Sequence, residues 1–173
     1  MQGDQLKGYI RDIPDFPEPG VIFKDITPLL ADHDANKAVI DRIADHYRGA
    51  GVTRVAGIEA RGFIFATPIA LALGAGFVPI RKPGKLPHET EGEDYELEYG
   101  TDLLEIHRDA VAAGDRVLIV DDVIATGGTA AAAVRLIRRL EAEVVGLAVV
   151  VELDFLHGRD QLPDVDLLTL VNY

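Results

Sequence analysis

The chain reads as an α/β protein with a central, mostly parallel sheet flanked by helices. Short aliphatic runs at 52–58, 77–80, 116–120 and 144–151 alternate with segments of helical periodicity at 36–48, 63–73 and 129–140. The last of these runs is apolar throughout. A strand with one wet face alternates apolar and polar residues, whereas a continuous apolar run marks a strand covered on both faces, as between two helix layers. Strands and helices in regular succession are the pattern of βαβ units.

Each element follows from its own residues. Over 36–48, Val39, Ile40, Ile43, Ala44 and Tyr47 share one helical face opposite the charges, and Gly49 and Gly51 stop the helix. The run at 52–58 feeds Glu59-Ala60-Arg61-Gly62. Residues 63–73 read as a mostly buried helix ended by Gly74 and Gly76, with Pro68 expected in its first turns or at a kink. After a strand at 77–80 the rhythm breaks: Arg81 to Tyr99 is basic at its start and then polar and acidic. An insert of that length without clear structure is either a lid or a disordered segment. The alternation of Tyr95, Leu97 and Tyr99, then Leu104 and Ile106, predicts a hairpin at its far end. A Gly114-Asp115 turn precedes the strand at 116–120, and an Ala-rich helix spans 129–140.

Composition narrows the function. With 173 residues, 48% of them hydrophobic and 27% charged, the chain can form one domain with its own core. It contains no cysteine, which removes a disulfide framework, a thiolate metal site and a cysteine nucleophile. A net charge of -12 argues against a nucleic-acid partner, because phosphate backbones are bound by basic faces. No apolar stretch approaches the ~18 to 20 residues that span a bilayer, and no basic-then-apolar leader follows Met1. A cytoplasmic protein without membrane or nucleic-acid partners is the expectation.

The strongest chemical signal is VLIVDDVIATGGT at 117–129, running into a helix. An apolar strand here delivers Asp121 and Asp122 to a sheet edge, and a Thr/Gly-rich turn then presents bare N–H groups at a helix N-terminus. Such a terminus favours an anion. The acids repel phosphate but accept hydrogen bonds from sugar hydroxyls or hold Mg²⁺ through water, so the pair predicts a phosphorylated sugar with a metal. Gly-rich strand-to-helix turns and double acids also occur in phosphoacceptor domains. A Walker loop and a dinucleotide fingerprint are both excluded, since neither Gly-Lys-Ser/Thr nor Gly-x-Gly-x-x-Gly is present in this segment. Asp32, His33, Asp34 and His107 read as exposed polar residues, so no protein-only metal site is assigned.

This strand, acid pair and Thr/Gly loop resemble the signature of the type I phosphoribosyltransferases. FPEPGVIFKDITP at 16–28, EARGF at 59–63, RKPGKLP at 81–87 and LEYG at 97–100 extend the resemblance, specifically to the adenine-using members. The resemblance implies the type I phosphoribosyltransferase fold as a single domain over 1–173, with a small N-terminal hood at about 10–30 and a long flexible lid loop at about 81–100. It implies transfer of phosphoribosyl from 5-phosphoribosyl 1-diphosphate to adenine, Mg²⁺ held mainly by substrate and water, and a homodimer. It also implies roles. Ala125, Thr126, Gly127, Gly128 and Thr129 take the 5-phosphate, and Asp121 and Asp122 face the ribose. Arg61, in a turn expected to hold a cis peptide at Glu59–Ala60, grips pyrophosphate together with Arg81, Lys82 and Lys85. Ile22 and Lys24 read the adenine edge through their backbones, while Phe23 and Leu153 sandwich the ring. Glu98 manages a proton at the base, and Tyr99 orders the closed lid. The lid centre, HETEGED at 88–94, is more acidic than the family pattern. The alternatives are another purine specificity, hypoxanthine or xanthine, and a non-catalytic sensor of the same phosphosugar.

Overall fold

The computed structural model describes residues 1, 3–97 and 100–173. It opens with α1 (Gly3–Lys7) and a hairpin of β1 (Arg11–Pro14) and β2 (Ile22–Asp25), followed by α2 (Thr27–Ala31) and α3 (His33–Tyr47). Next come β3 (Arg54–Ile58), α4 (Gly62–Leu73) and β4 (Gly76–Ile80), then a second hairpin of β5 (Thr90–Glu96) and β6 (Thr101–His107). The chain finishes with β7 (Arg116–Ile124), α5 (Gly128–Arg139), β8 (Glu143–Glu152) and β9 (Leu167–Asn172).

Five strands form one sheet in the order β4-β3-β7-β8-β9, with every neighbouring pair parallel. From β3 the chain builds outward to β4, and from β7 it builds the opposite way through β8 to β9. The winding therefore reverses between β3 and β7. Open α/β sheets bind ligands beyond the carboxyl ends of the strands at such a reversal, which places the expected site just past Ile58 and at the end of β7.

Both sheet faces are covered, which explains the continuous apolar runs. Val117 and Ile119 are buried with Ala132 and Leu136 of α5, while Leu118 and Val120 are buried with Val39 and Ile43 of α3 and Phe65 and Ile69 of α4. Each of the Val, Leu, Ile and Phe side chains contributes roughly 1.5–3 kcal/mol on leaving water. The N-terminal hairpin is held to the sheet by Lys24, whose Nζ donates to Asp12 at 2.7 Å and lies 3.7 Å from the Tyr173 ring centroid.

Some elements depart from the sequence reading. Helix α3 starts at His33, before residue 36, because the Asp32 carboxylate caps it by accepting from the Ala35 N–H at 2.9 Å. Pro68 lies in the interior of α4, not in its first turns. Strand β7 continues to Ile124, so Asp121 and Asp122 belong to the strand itself. Strand β9 was not anticipated.

The largest departure corrects the loop expected at 81–100. The hairpin begins at Thr90, so its first strand covers much of the acidic stretch read as unstructured. Strand β5 lies against α5, where Arg135 Nε donates to Glu93 at 2.6 Å, Arg139 pairs with the same carboxylate, and Arg139 also donates to the Gly92 carbonyl at 2.6 Å. Burial works to raise the Glu93 pKa, but the Arg135 and Arg139 partners outweigh it and hold the carboxyl below its ordinary value. Neutralised and anchored in this way, an acid-rich segment with a glycine can still form a strand.

Candidate active site

The turn after β3 and the turn after β7 meet at the winding reversal. After β3, Glu59–Ala60 is a cis peptide, as expected for this turn. Arg61 then leads into α4, and its Nε donates to Asp122 Oδ2 at 2.5 Å. The same guanidinium lies 5.3 Å from the Phe23 ring centroid. Gly62 allows this approach: a Cβ there would lie 2.8 Å from the Val120 carbonyl and 3.1 Å from Asp121 Oδ1. No side chain fits between the start of α4 and the end of β7.

The two acids differ in their surroundings. Asp122 is only 5% exposed, and Arg61 supplies its counter-charge. Burial foremost, followed by the neighbouring Asp122 charge, pushes the Asp121 carboxyl well above the usual carboxylate range, with Arg61 opposing. One Asp121 oxygen accepts the Asp122 N–H at 2.9 Å. Each carboxylate has a second oxygen beyond these bonds.

Beyond the acids, Gly127 takes a left-handed φ of 87° and α5 starts without a side-chain cap. The first N–H groups of a helix lack intrahelical partners, so an uncapped start is an anion cradle. The cradle is backed by main chain. A Cβ on Gly127 would collide with the Gly158 carbonyl, and one on Gly158 with the Ala125 carbonyl.

These groups line a cleft of about 330 Å³ bounded by Glu59, Ala60, Arg61, Lys82, Asp121, Asp122 and residues 123–130. Cations, a carboxylate pair and a helix N-terminus therefore converge on a volume suited to a phosphorylated sugar. Residues 27–170 match the family model of the phosphoribosyl transferase domain. The chain belongs to that family. It is 62% identical over 162 residues to the adenine phosphoribosyltransferase of Thermobifida fusca, covering 94% of this chain and 92% of that one. The crystal structure of adenine phosphoribosyltransferase from Thermoanaerobacter pseudethanolicus superposes with a TM-score of 0.95 at 50% identity, covering 98% of this chain and 99% of that one. The Saccharomyces cerevisiae adenine phosphoribosyltransferase, solved with an imino-altritol bisphosphate and adenine, gives a TM-score of 0.92 at 44% identity and covers 97% of each chain.

Within this phosphoribosyl transferase domain, the cleft gathers Arg61, Lys82, Asp121, Asp122, Ala125, Thr126, Gly127, Gly128 and Thr129 from the sequence reading. Ile22, Phe23, Lys24, Arg81, Lys85 and Leu153 are not among its lining residues. Phe23 touches the cleft through Arg61, while Arg81 turns to Glu59, donating from Nε at 2.6 Å. Lys85 is exposed. Leu153 is half-buried, and its N–H donates to the Ile124 carbonyl at 3.0 Å, beside the end of β7. Glu98 and Tyr99 lie outside the described residues. Sequence reasoning missed Glu59, Asp102 and Gly158. Glu59 is visible only as part of its motif, and nothing local marks the Asp in β6 that pairs with Lys82 or the Gly beyond β8 whose main chain backs the cradle.

Proposed function

We propose that the chain transfers the 5-phosphoribosyl group of 5-phospho-α-D-ribose 1-diphosphate to adenine, giving AMP and pyrophosphate. The observation that carries this reading is the convergence, at one winding reversal, of the Gly127–Thr129 cradle, the Asp121–Asp122 pair, Arg61 and Lys82. In a chain of net charge -12 this gathering of cations and N–H donors is a local exception, suited to a polyanionic ligand.

The 5-phosphate sits in the cradle, bound by main-chain N–H groups and the Thr126 and Thr129 hydroxyls. Asp121 and Asp122 accept from the ribose hydroxyls and stabilise positive charge as the C1–oxygen bond to diphosphate breaks. Arg61 and Lys82 receive the leaving diphosphate, with Arg81 and Lys85 beside them at the base of the hairpin. Adenine N9 forms the new bond to C1 and gives up its proton to a base, for which Glu98 is the candidate, with Tyr99 next to it in sequence. Phe23 and Leu153 sandwich the purine, whose edge is read by the Ile22 and Lys24 backbones.

The donor set also fits Mg²⁺ as a partner of the substrate. Asp121 and Asp122 offer carboxylate oxygens at the cleft, whereas no cluster of at least three His, Cys, Asp or Glu among the described residues could cage a metal alone. Bound with the diphosphate, Mg²⁺ neutralises charge on the leaving group. Incubating the chain with adenine, the sugar diphosphate and Mg²⁺ is expected to yield AMP, and hypoxanthine to react at least about 100-fold more slowly because its donor and acceptor pattern is reversed. Absence of adenine-dependent AMP overturns the reading.

The chain works as a homodimer in this proposal. Leu71 of α4 is 78% exposed, Ile64 on the same helical face about two turns earlier is 45% exposed, and Phe77 of the edge strand β4 is 37% exposed. Burying this face on a second copy braces the helix that starts at Arg61. Light scattering is expected to give a dimer mass, and Leu71→Asp to shift it toward monomer. No helix among the described residues is long and apolar enough to cross a membrane, which is compatible with a cytoplasmic enzyme.

A further inference from the structure

Lys82 reaches the cleft from the base of the second hairpin, and its ammonium is not held by the cleft alone. Its Nζ donates to Tyr95 Oη at 2.5 Å and to the Asp102 carboxylate. Tyr95 Oη in turn donates to Asp102 Oδ2 at 2.9 Å, and the other Asp102 oxygen accepts the Leu103 N–H at 2.8 Å. Tyr95 and Asp102 face one another in the β5–β6 register, so the triangle closes across the hairpin. Tyr95 is 6% exposed, and its ring edge borders the phosphate cradle: a Cβ on Gly128 would lie 3.6 Å from Tyr95 Cδ2.

An ammonium has three N–H donors and a flexible stem. The triangle uses two of the donors and fixes the stem, leaving one donor for the cleft that Lys82 lines. We propose that Tyr95 and Asp102 are positioning residues that hold the Lys82 ammonium for the diphosphate and link that cation to the cradle wall at Gly128. The assignment rests on the proposed function, since it takes a diphosphate as the ligand of Lys82. Burial works to lower the Lys82 pKa, but the bonds to Asp102 and Tyr95 outweigh it and the group stays protonated. Asp102 also brings negative charge near an anion site, so a purely competitive role predicts the opposite sign. Removing it then tightens diphosphate binding, whereas removing a positioning residue weakens it.

The test uses the full chain with Mg²⁺, measuring steady-state kinetics and calorimetric titration with pyrophosphate and with the sugar diphosphate. Asp102→Ala is expected to raise the sugar diphosphate KM about 5- to 20-fold, with kcat changed less than about threefold and the adenine KM unchanged. Tyr95→Phe, which keeps the ring packing and removes only the hydroxyl, is expected to show a smaller shift of the same kind. Asp102→Asn keeps an acceptor for Nζ and is expected to recover part of the loss. In a Lys82→Ala background, Asp102→Ala is expected to add nothing, because its effect passes through Lys82. Additive losses, an unchanged KM in Asp102→Ala and Tyr95→Phe, or tighter pyrophosphate binding each overturn the assignment. Failure of the unaltered chain to bind either anion overturns the proposed function and this assignment with it, whereas normal binding by the unaltered chain with an additive cycle removes only the assignment.

Discussion

Arg61→Ala is expected to lower kcat/KM for AMP formation by about 10²- to 10³-fold, the range seen when one preorganised electrostatic group is removed from a reacting centre. The side chain serves two partners. It lines the cleft to which the proposed function assigns the departing diphosphate, and it is the counter-charge for Asp122, which is 5% exposed. Stripping the partner from a fully buried ion pair costs about 3–5 kcal/mol. Here the Arg61 side chain is 46% exposed, so water takes over part of its role and the expected loss of stability is about 1–2 kcal/mol. Arg61→Lys keeps the charge but not the guanidinium fork and recovers only part of the activity. Thermal unfolding separates the two effects: a variant with a near-normal unfolding temperature and normal kcat/KM removes Arg61 from the site.

Asp121→Asn is expected to separate activity from stability in the opposite way. Activity falls by about 10²-fold or more as the ribose-facing charge is lost, while stability at neutral pH rises by about 1 kcal/mol, as is common when a functional group is removed from an unfavourable setting. The sign follows from linkage. Burial first and the Asp122 charge second raise the Asp121 pKa in the folded chain, whereas the unfolded chain has an ordinary carboxyl. Between the two values the folded chain binds the extra proton. The stability contributed by Asp121 is fully present below the unfolded pKa and disappears as pH rises through the folded one. The unfolding temperature of Asp121→Asn should therefore exceed that of the unaltered chain by a margin that grows with pH, measured without added metal. A constant or shrinking margin between the unfolded and folded values shows that folding does not raise the Asp121 pKa.

Much of this was legible because it is local. The helix face at 36–48 and the two-sided strand at 144–151 are carried by side-chain periodicity, and the cradle by a contiguous turn at a strand end. What was hidden is carried by partners far along the chain. In β5 the residues Glu91, Gly92, Glu93 and Asp94 have poor strand propensity, and cations distant in sequence, Arg135 and Arg139 of α5 and Arg108, anchor the strand. The same holds for the site. Lys82 was readable in its basic cluster, but Asp102 reaches it across a hairpin whose register no short motif encodes. Arg81 is readable in the same basic cluster, but its bond to Glu59 at the end of the neighbouring strand is not.

The contact between Gly127 and Gly158 bears on how the chain can be varied. Two connections, one after β7 and one after β8, touch main chain to main chain with no side chain between them. Neither position can be altered while the other stays fixed, and a compensating change has no atoms to remove. A library that randomises 125–129 to accept a different sugar phosphate must treat residue 158 as part of the same loop.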